Sequence, residues 1–259
     1  MQNWFMSLDH VIQALLATLF TWFVTLLGAS VVLFFKRVNR TVLDAMLGAA
    51  GGVMLAASYW SLLQPALIQA QSMGMSPITT VVPGFLAGGI LICLGDMLFK
   101  TGVDASVHRS RLLVFSITLH NIPEGLSVGI AFGAIAFGLE GATMAAACML
   151  ALGIGLQNFP EGAAVSLPLM RDGISPSRAF FYGQLSGMVE PLAGVAGAIL
   201  VMVARRYMPF LLSLAAGAMI YVVVSELVPE SQLNRRKGLM AMVTMLGFSV
   251  MMALDVVLG

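Results

Sequence analysis

The sequence of 259 residues has little charge, few histidines and few cysteines. Only 10% of its residues are charged, where a soluble domain has roughly 25%. This shortage excludes an ordinary water-soluble enzyme, and a formal net charge of +1 does not favour a nucleic-acid partner. The two cysteines, Cys93 and Cys148, both lie in apolar runs, so we expect no disulfide framework.

Long apolar runs make up most of the chain, in which 59% of the residues are hydrophobic. About 20 apolar residues in a row are enough for a helix to cross a bilayer. The connections between the runs are short, and none could hold a soluble domain. We therefore predict one all-α transmembrane domain, residues 1–259, in a polytopic membrane protein. Eight transmembrane helices are expected, at residues 12–35, 42–63, 78–99, 112–137, 142–170, 177–203, 210–229 and 238–258.

Basic residues fall almost entirely on one side of the predicted membrane. Of the thirteen Lys and Arg, all but Arg205 and Arg206 lie in the loops after the first, third, fifth and seventh helices. Because basic loops stay in the cytoplasm, we expect a multi-pass protein of the cell membrane with both termini outside.

Three glutamates lie deep inside predicted helices, whereas every Lys and Arg is in a loop or at a helix end. Glu124, Glu161 and Glu190 belong to helices four, five and six. A charged carboxylate at mid-membrane costs about 2.5–3.5 kcal/mol on insertion scales. Since no basic side chain accompanies them, only a proton or a metal ion can neutralise these carboxylates. The helical rise of about 1.5 Å per residue puts all three roughly 14–20 Å from the cytoplasmic ends of their helices.

Two similar segments, the cassettes, carry most of the polar residues of helices four and five. The first is His-Asn-Ile-Pro-Glu-Gly at residues 120–125, and the second is Gln-Asn-Phe-Pro-Glu-Gly at residues 157–162. In the first, a histidine and a glutamate four residues apart lie on one helical face. The proline before each glutamate removes a backbone hydrogen bond, so both helices are predicted to be kinked.

Together the cassettes offer one imidazole, two carboxylates and three amide oxygens at similar depth. Imidazole with carboxylates suits zinc, iron, manganese or cadmium better than calcium or magnesium. The alternative is a pair of kinked helices whose polar residues only form hydrogen bonds across the bundle. The candidate metal ligands in the cassettes are His120, Asn121, Glu124, Gln157, Asn158 and Glu161.

Four further residues are candidates with a structural alternative each. Glu190, followed by a proline, is either a ligand or a protonated glutamate that bonds a backbone carbonyl. Met54 lies at a depth similar to that of the cassette residues and could be a soft ligand. Because the chain has nineteen methionines, a role in apolar packing is the ordinary explanation for it. Near the cytoplasmic face, Asp96 and Glu226 could line an exit path, and solvation of helix ends explains them equally well.

These motifs resemble the ZIP family of divalent metal transporters. The His-Asn-x-Pro-Glu-Gly pattern on the fourth helix, its x-Asn-x-Pro-Glu partner on the fifth and eight spans are typical of that family. The second cassette, together with Gly-Gln-Leu-Ser-Gly-Met-Val-Glu-Pro at residues 183–191, resembles its GufA-like branch. The resemblance extends from Asp-Ala-Met-Leu-Gly at residues 44–48 to the last helix, and so covers essentially the whole chain.

The resemblance implies a ZIP-like bundle that moves zinc, or Cd²⁺, Fe²⁺ or Mn²⁺, into the cytoplasm, with the metal as substrate and no cofactor. It implies a central site formed by Met54, His120, Glu124, Gln157 and Glu161. A second, adjacent site would use Asn121, Glu124, Asn158, Glu161 and Glu190. On the path, Ser61 and Asp96 would be accessory residues, with Glu226 as an exit ligand.

The sequence departs from the family pattern at three positions. Many ZIP proteins have histidine where this chain has Gln157, and some have aspartate in place of Asn158. One anionic ligand fewer weakens the second site. Relatives often place a histidine beside the acid of helix seven, where this chain has Ser225, which argues against an exit site.

The expected mechanism is alternating access, in which helices one, four, five and six move against two, three, seven and eight. A passive cation or proton channel is the main rival. An intramembrane metalloenzyme is disfavoured, because the glutamate of the first cassette occupies the place of the second histidine in the zinc-protease pattern. The expected partners are divalent ions and the bilayer, and the sequence does not decide between a monomer and a homodimer.

Overall fold

In the computed structural model, which describes residues 2–34, 39–100, 108–139, 141–171 and 173–258, the chain forms eight long helices and no strand. A short helix, Gln2–Met6, precedes them. Each of the eight predicted spans corresponds to one long helix. The helices are α1 (His10–Phe34), α2 (Arg40–Ser72), α3 (Pro77–Lys100), α4 (His108–Ala136), α5 (Met144–Arg171), α6 (Pro176–Gly187 and Val189–Ala204), α7 (208–232) and α8 (Lys237–Leu258).

Much of the helical structure is long and apolar enough to cross a membrane. Five stretches of the described chain meet this description, and one of them, Pro176–Gln232, is 57 residues long and contains two of the predicted spans. The other four are α1, α2, Pro77–Met97 of α3 and Lys237–Val257 of α8. The prediction of a polytopic all-α membrane protein is therefore confirmed.

Helices α2 and α7 end later than predicted, and each continues through a proline by way of a π-helical turn. In α2 the π-helical segment is Ser58–Leu63, and Gln64 donates its N–H to a carbonyl five residues back. The wider turn lets the helix continue past Pro65. In α7 the corresponding segment is Val223–Leu227, directly before Val228 and Pro229. Such π-helical turns are local insertions that often accompany functional sites.

Helix α6 is interrupted, where the sequence predicts one continuous span. Its first segment ends at Gly187 and its second begins at Val189. Pro191 has no N–H to donate to the Gly187 carbonyl, so the helical hydrogen bonds cannot run unbroken across this point. The interruption, at Met188, lies two residues before Glu190, in the part of α6 that faces the cassettes.

The eight helices pack as two groups of four. Helices α1, α4, α5 and α6, here called the cassette half, contact one another extensively, above all α1 with α5 and α4 with α6. Helices α2, α3, α7 and α8, the companion half, pack mainly as α3 with α7 and α2 with α8. The halves meet chiefly where α2 lies on α5 and α4 lies on α7.

Glycines allow the closest helix crossings in both halves. A Cβ added at Gly28 of α1 would lie 1.9 Å from the Phe159 carbonyl oxygen of α5, inside the second cassette. In the companion half, a Cβ at Gly52 of α2 would lie 2.0 Å from the Thr244 oxygen of α8. Small residues permit such backbone approach in membrane helices, where close packing is a main source of association.

Candidate metal site

Both cassettes lie within continuous helices, and their glutamates are buried. Helix α4 passes through Pro123 and α5 passes through Pro160 without ending, so each cassette keeps its helical face. Glu124 is fully buried and Glu161 is 5% exposed. Each proline leaves the carbonyl four residues earlier without its helical donor, which makes these the most polar stretches of two otherwise apolar helices.

A side-chain hydrogen bond joins the two cassettes directly. The Gln157 amide nitrogen of α5 donates to Glu124 Oε1 of α4 over 2.7 Å, and both groups are buried. Because an amide nitrogen can only donate and a carboxylate oxygen accepts, this contact fixes the orientation of the amide. Gln157, the first residue of the second cassette, is thereby linked to Glu124, the acid of the first cassette.

The second cassette is also bound to α6 and α1. Asn158 Nδ2 lies 2.9 Å from each carboxylate oxygen of Glu190 and 3.2 Å from the Thr21 carbonyl oxygen. The Thr21 hydroxyl donates to Glu190 Oε2, and the Thr25 hydroxyl lies 3.4 Å from Oε1. All four residues are buried, so three helices meet at one hydrogen-bonded cluster.

The first cassette is anchored on the other side of the α6 interruption. Asn121 Nδ2 donates to the Ser186 carbonyl oxygen over 2.9 Å. That carbonyl belongs to the last turn of the first α6 segment, where helical carbonyls lose their regular donors. The break in α6 therefore lets the asparagine of α4 use one α6 carbonyl, while Glu190 just past the break bonds the asparagine of α5.

These bonds leave a set of buried oxygens without a hydrogen-bond partner among the described residues. An unpaired buried oxygen costs roughly 1–3 kcal/mol; an amide oxygen is an acceptor only, and so is an ionised carboxylate oxygen. A bound cation is a suitable partner for such acceptors, whereas a further acceptor is not. The unpaired oxygens in the two cassettes are Asn121 Oδ1, Glu124 Oε2, Gln157 Oε1 and Asn158 Oδ1.

The carboxylates of Glu124, Glu161 and Glu190 are near enough to interact electrostatically with one another. Among the side chains that the structure describes, however, no three of histidine, cysteine, aspartate and glutamate form a group that could hold a metal ion by themselves. The His120 side chain lies outside that description, although its backbone is in α4. An ion at this site would therefore also need the amide oxygens or His120.

Met54 is fully buried on α2, in the helix of the companion half that packs against α5. A methionine there is surrounded by the apolar core that both halves share. It is therefore the candidate ligand that comes from the other half of the bundle, and it also contributes to ordinary packing.

The path residues lie at opposite ends of the companion half. Ser61 donates to Asp255 Oδ1 over 3.0 Å, and both residues line a cavity of about 360 Å³ that also reaches α4 and α5. Asp96 of α3 and Glu226 of α7 both interact electrostatically with Tyr221. Both acids of the predicted exit therefore lie near Tyr221, and Ser61 lies apart from them.

Sequence reasoning missed the polar residues of α1. Thr21 and Thr25 contact Glu190, although neither belongs to a recognisable motif. The signal that could have found them is a row of three threonines, residues 18, 21 and 25, at helical spacing in an otherwise apolar span.

The helices packed in two halves, with a buried cluster of polar side chains in the middle of one half, define a polytopic helical membrane protein with a polar interior. A family model described as the ZIP zinc transporter matches residues 100–255. The chain belongs to the ZIP zinc transporter family. This confirms the resemblance found in the motifs, and it confirms a transporter rather than an enzyme.

Curated relatives agree over nearly the full length of the chain. The chain is 39% identical to "Zinc transporter ZIP11" of Homo sapiens, over 97% of this chain and 98% of the relative. It is 36% identical to "Zinc transporter ZIPB" of Bordetella bronchiseptica, over 96% and 82%. It is 34% identical to "Zinc transporter GufA" of Myxococcus xanthus, over 95% and 98%, in accord with the predicted branch.

Proposed function

We propose that this protein carries divalent metal ions, zinc first among them, through the cell membrane into the cytoplasm, and binds each ion between the two cassettes. The observation that supports this most is the set of four buried oxygens without a partner among the described residues, beside three neighbouring carboxylates. A doubly charged cation neutralises such a cluster and gives its oxygens a partner. No other class of solute fits a group of unpaired hydrogen-bond acceptors as well as a cation does.

The central ligands are Glu124, Gln157 and Glu161, completed by His120 and Met54. The free oxygens of Glu124 and Gln157 belong to side chains that bond each other, so they are held at a fixed separation before an ion arrives. Preorganisation of this kind reduces the cost of binding. The adjacent second set consists of Asn121 and Asn158 next to the same carboxylates, and Glu190 contributes to it through its bonds to Asn158.

Transport by alternating access is supported by the division of the bundle. The cassette half consists of α1, α4, α5 and α6, the helices proposed to move together, and each packs mainly within that half. Both termini lie outside and the basic loops inside, by the distribution of Lys and Arg. Ions enter from the cavity beside Ser61 and leave past Asp96 and Glu226.

Zinc as the preferred ion is supported by the printed names of the relatives. The neutral amides of Gln157 and Asn158 make the site less anionic than one with aspartate at the second position. Cd²⁺, Fe²⁺ and Mn²⁺ are therefore proposed as weaker substrates of the same site.

Uptake of ⁶⁵Zn into liposomes that contain the purified protein tests this function. Saturable uptake with a steep temperature dependence is expected, with competition by Cd²⁺ and little by Ca²⁺. Glu124→Gln, which keeps the shape of the side chain and removes its charge, provides the inactive control. Uptake that rises linearly with zinc concentration and depends weakly on temperature would indicate the rival channel instead.

A further inference from the structure

The face of α1 that meets α6 carries hydroxyl groups, and they are bound to a single carboxylate. Thr21 and Thr25 lie one turn apart, and both hydroxyls approach Glu190. The helices are close at this point, because a Cβ added at Gly187 of α6 would lie 2.9 Å from Thr25 Cγ2. The contact is therefore built into the α1–α6 packing.

Both oxygens of Glu190 already have hydrogen-bond donors. Asn158 Nδ2 lies 2.9 Å from each of them, and the Thr21 hydroxyl donates to Oε2. The Thr25 hydroxyl lies 3.4 Å from Oε1 and 3.3 Å from the Thr21 carbonyl oxygen, so it adds little to these bonds. Glu124, by contrast, accepts one bond, from Gln157, and its other oxygen has no partner among the described residues.

The same contacts determine which atom Asn158 presents. Its Nδ2 is held by Glu190 and by the Thr21 carbonyl oxygen, so Thr21 bonds both members of the pair. With its nitrogen fixed there, the Asn158 amide leaves Oδ1 as its free atom. A rotated amide would place a carbonyl oxygen against a carboxylate, which is repulsive.

We propose that Thr21 is a positioning residue for metal binding, and that Glu190 serves as the anchor of Asn158 rather than as a ligand of the ion. This inference rests on the proposed function of the cassettes, and it assigns a role to α1 in that site. Thr21 acts through Glu190 and Asn158 and does not itself contact the ion. The two oxygens that Asn121 and Asn158 turn toward a cation are then both oriented by α6.

Three threonine variants test the inference by ⁶⁵Zn uptake kinetics in liposomes. Thr21→Val keeps the shape and removes the donor, and we expect it to raise the zinc KM about tenfold while the maximal rate changes less than about twofold. Thr21→Ser keeps the donor and is expected to restore the wild-type KM. Thr18→Val is the matched control, because the Thr18 hydroxyl is equally buried but donates only to carbonyls of its own helix.

A wild-type zinc KM in Thr21→Val overturns the inference. So does a raised KM that Thr21→Ser does not restore, or an equal rise in KM in Thr18→Val. A wild-type protein that takes up no zinc refutes the proposed function instead, and the two failures are therefore distinct.

The role of Glu190 is tested separately by the zinc content of purified protein after dialysis against a fixed free zinc concentration. Glu190→Gln is expected to keep at least half of the wild-type zinc at saturation, whereas Glu124→Gln loses it. Equal losses in both variants would make Glu190 a ligand and overturn the proposal. This measurement also decides the matter if Thr21→Val fails to reach the membrane.

Discussion

The cassette half and the companion half of the bundle use the same kind of helix crossing but bury their polar groups at different places. The glycine crossings of Gly28 with α5 and Gly52 with α8 are equally close. In the companion half, the buried acids lie near helix ends: Asp44 in the first turns of α2 and Asp255 in the last turn of α8. In the cassette half, they lie in the middle of α4 and α5 and beside the break in α6.

The partners of these acids differ as well. Asp44 is 1% exposed and forms a salt bridge of 2.8 Å with Arg40 and a hydrogen bond of 2.8 Å with Asn234. Both salt bridges found among the described residues involve Arg40. The carboxylates of the cassette half instead have hydroxyls and amides around them. Arg40 supplies the cation for Asp44, which therefore has a structural role. Glu124 has a neutral partner and one oxygen without a partner among the described residues, and we propose that it meets a transported ion, whereas Glu190 is proposed to anchor Asn158.

The largest effect is expected from removal of a central carboxylate. Glu124→Ala or Glu161→Ala should lower zinc uptake by at least about a hundredfold, because each deletes a charged ligand that the neutral neighbours cannot replace. Uptake by cells starved of zinc, normalised to protein in the membrane, measures this. Near-normal uptake by either variant would show that this residue is not a ligand, and the proposed difference between the two halves would then be wrong.

Matched glycine substitutions come next, because both crossings have the same geometry. A Cβ at Gly162 would lie 2.1 Å from the Thr25 carbonyl oxygen, and one at Gly52 lies 2.0 Å from that of Thr244. Gly162→Ala and Gly52→Ala should each destabilise the protein by about 1–3 kcal/mol through overpacking, measured by thermal unfolding in detergent.

Their effects on transport should differ. Gly162 follows Glu161 directly and its crossing involves Thr25 of α1, so Gly162→Ala should also lower uptake per folded molecule about tenfold. Gly52→Ala should lower it less than about threefold. Equal losses of uptake would mean that the two halves contribute alike to the ion site.

Replacement of the α6 carboxylate should have a smaller effect than replacement of the α4 carboxylate. Glu190→Ala removes the carboxylate that the Asn158 amide and the Thr21 hydroxyl bond, and leaves them only the carbonyl oxygens of Thr21 and Thr18. This misplaces a neutral ligand but removes no central charge. We expect about tenfold lower uptake, measured beside Glu124→Ala in the same assay. A loss as large as that of Glu124→Ala would contradict the ranking.

The smallest effect is expected at the exposed end of the companion half. The Arg40–Glu230 pair is about half exposed on both sides, so Glu230→Ala should change stability by less than about 1 kcal/mol. Zinc uptake should stay within about twofold of wild type. A severe transport defect would show that this end of α7 carries more than a structural ion pair.

Much of the fold could be predicted from local patterns, and some of it could not. The eight spans were found because hydropathy is a property of each segment by itself. The predicted second span stops before Pro65, a residue that normally ends a helix, and the π-helical turn of α2 carries the helix past it. The predicted seventh span already includes Pro229, and α7 extends only three residues beyond it. The break in α6 is visible in sequence only as Pro191 and was not predicted.

By itself, the sequence determined that the protein is a helical membrane protein of the ZIP family and that the acids of α4, α5 and α6 lie deep inside long helices. These follow from composition and from short motifs along one stretch of chain. Only the tertiary structure decided how the acids differ, because the groups that donate hydrogen bonds to Glu190 come from α1 and α5. Asn158 also donates to a carbonyl oxygen 137 residues away along the chain. Hydrogen-bond capacity depends on neighbours in space, and no local pattern records them.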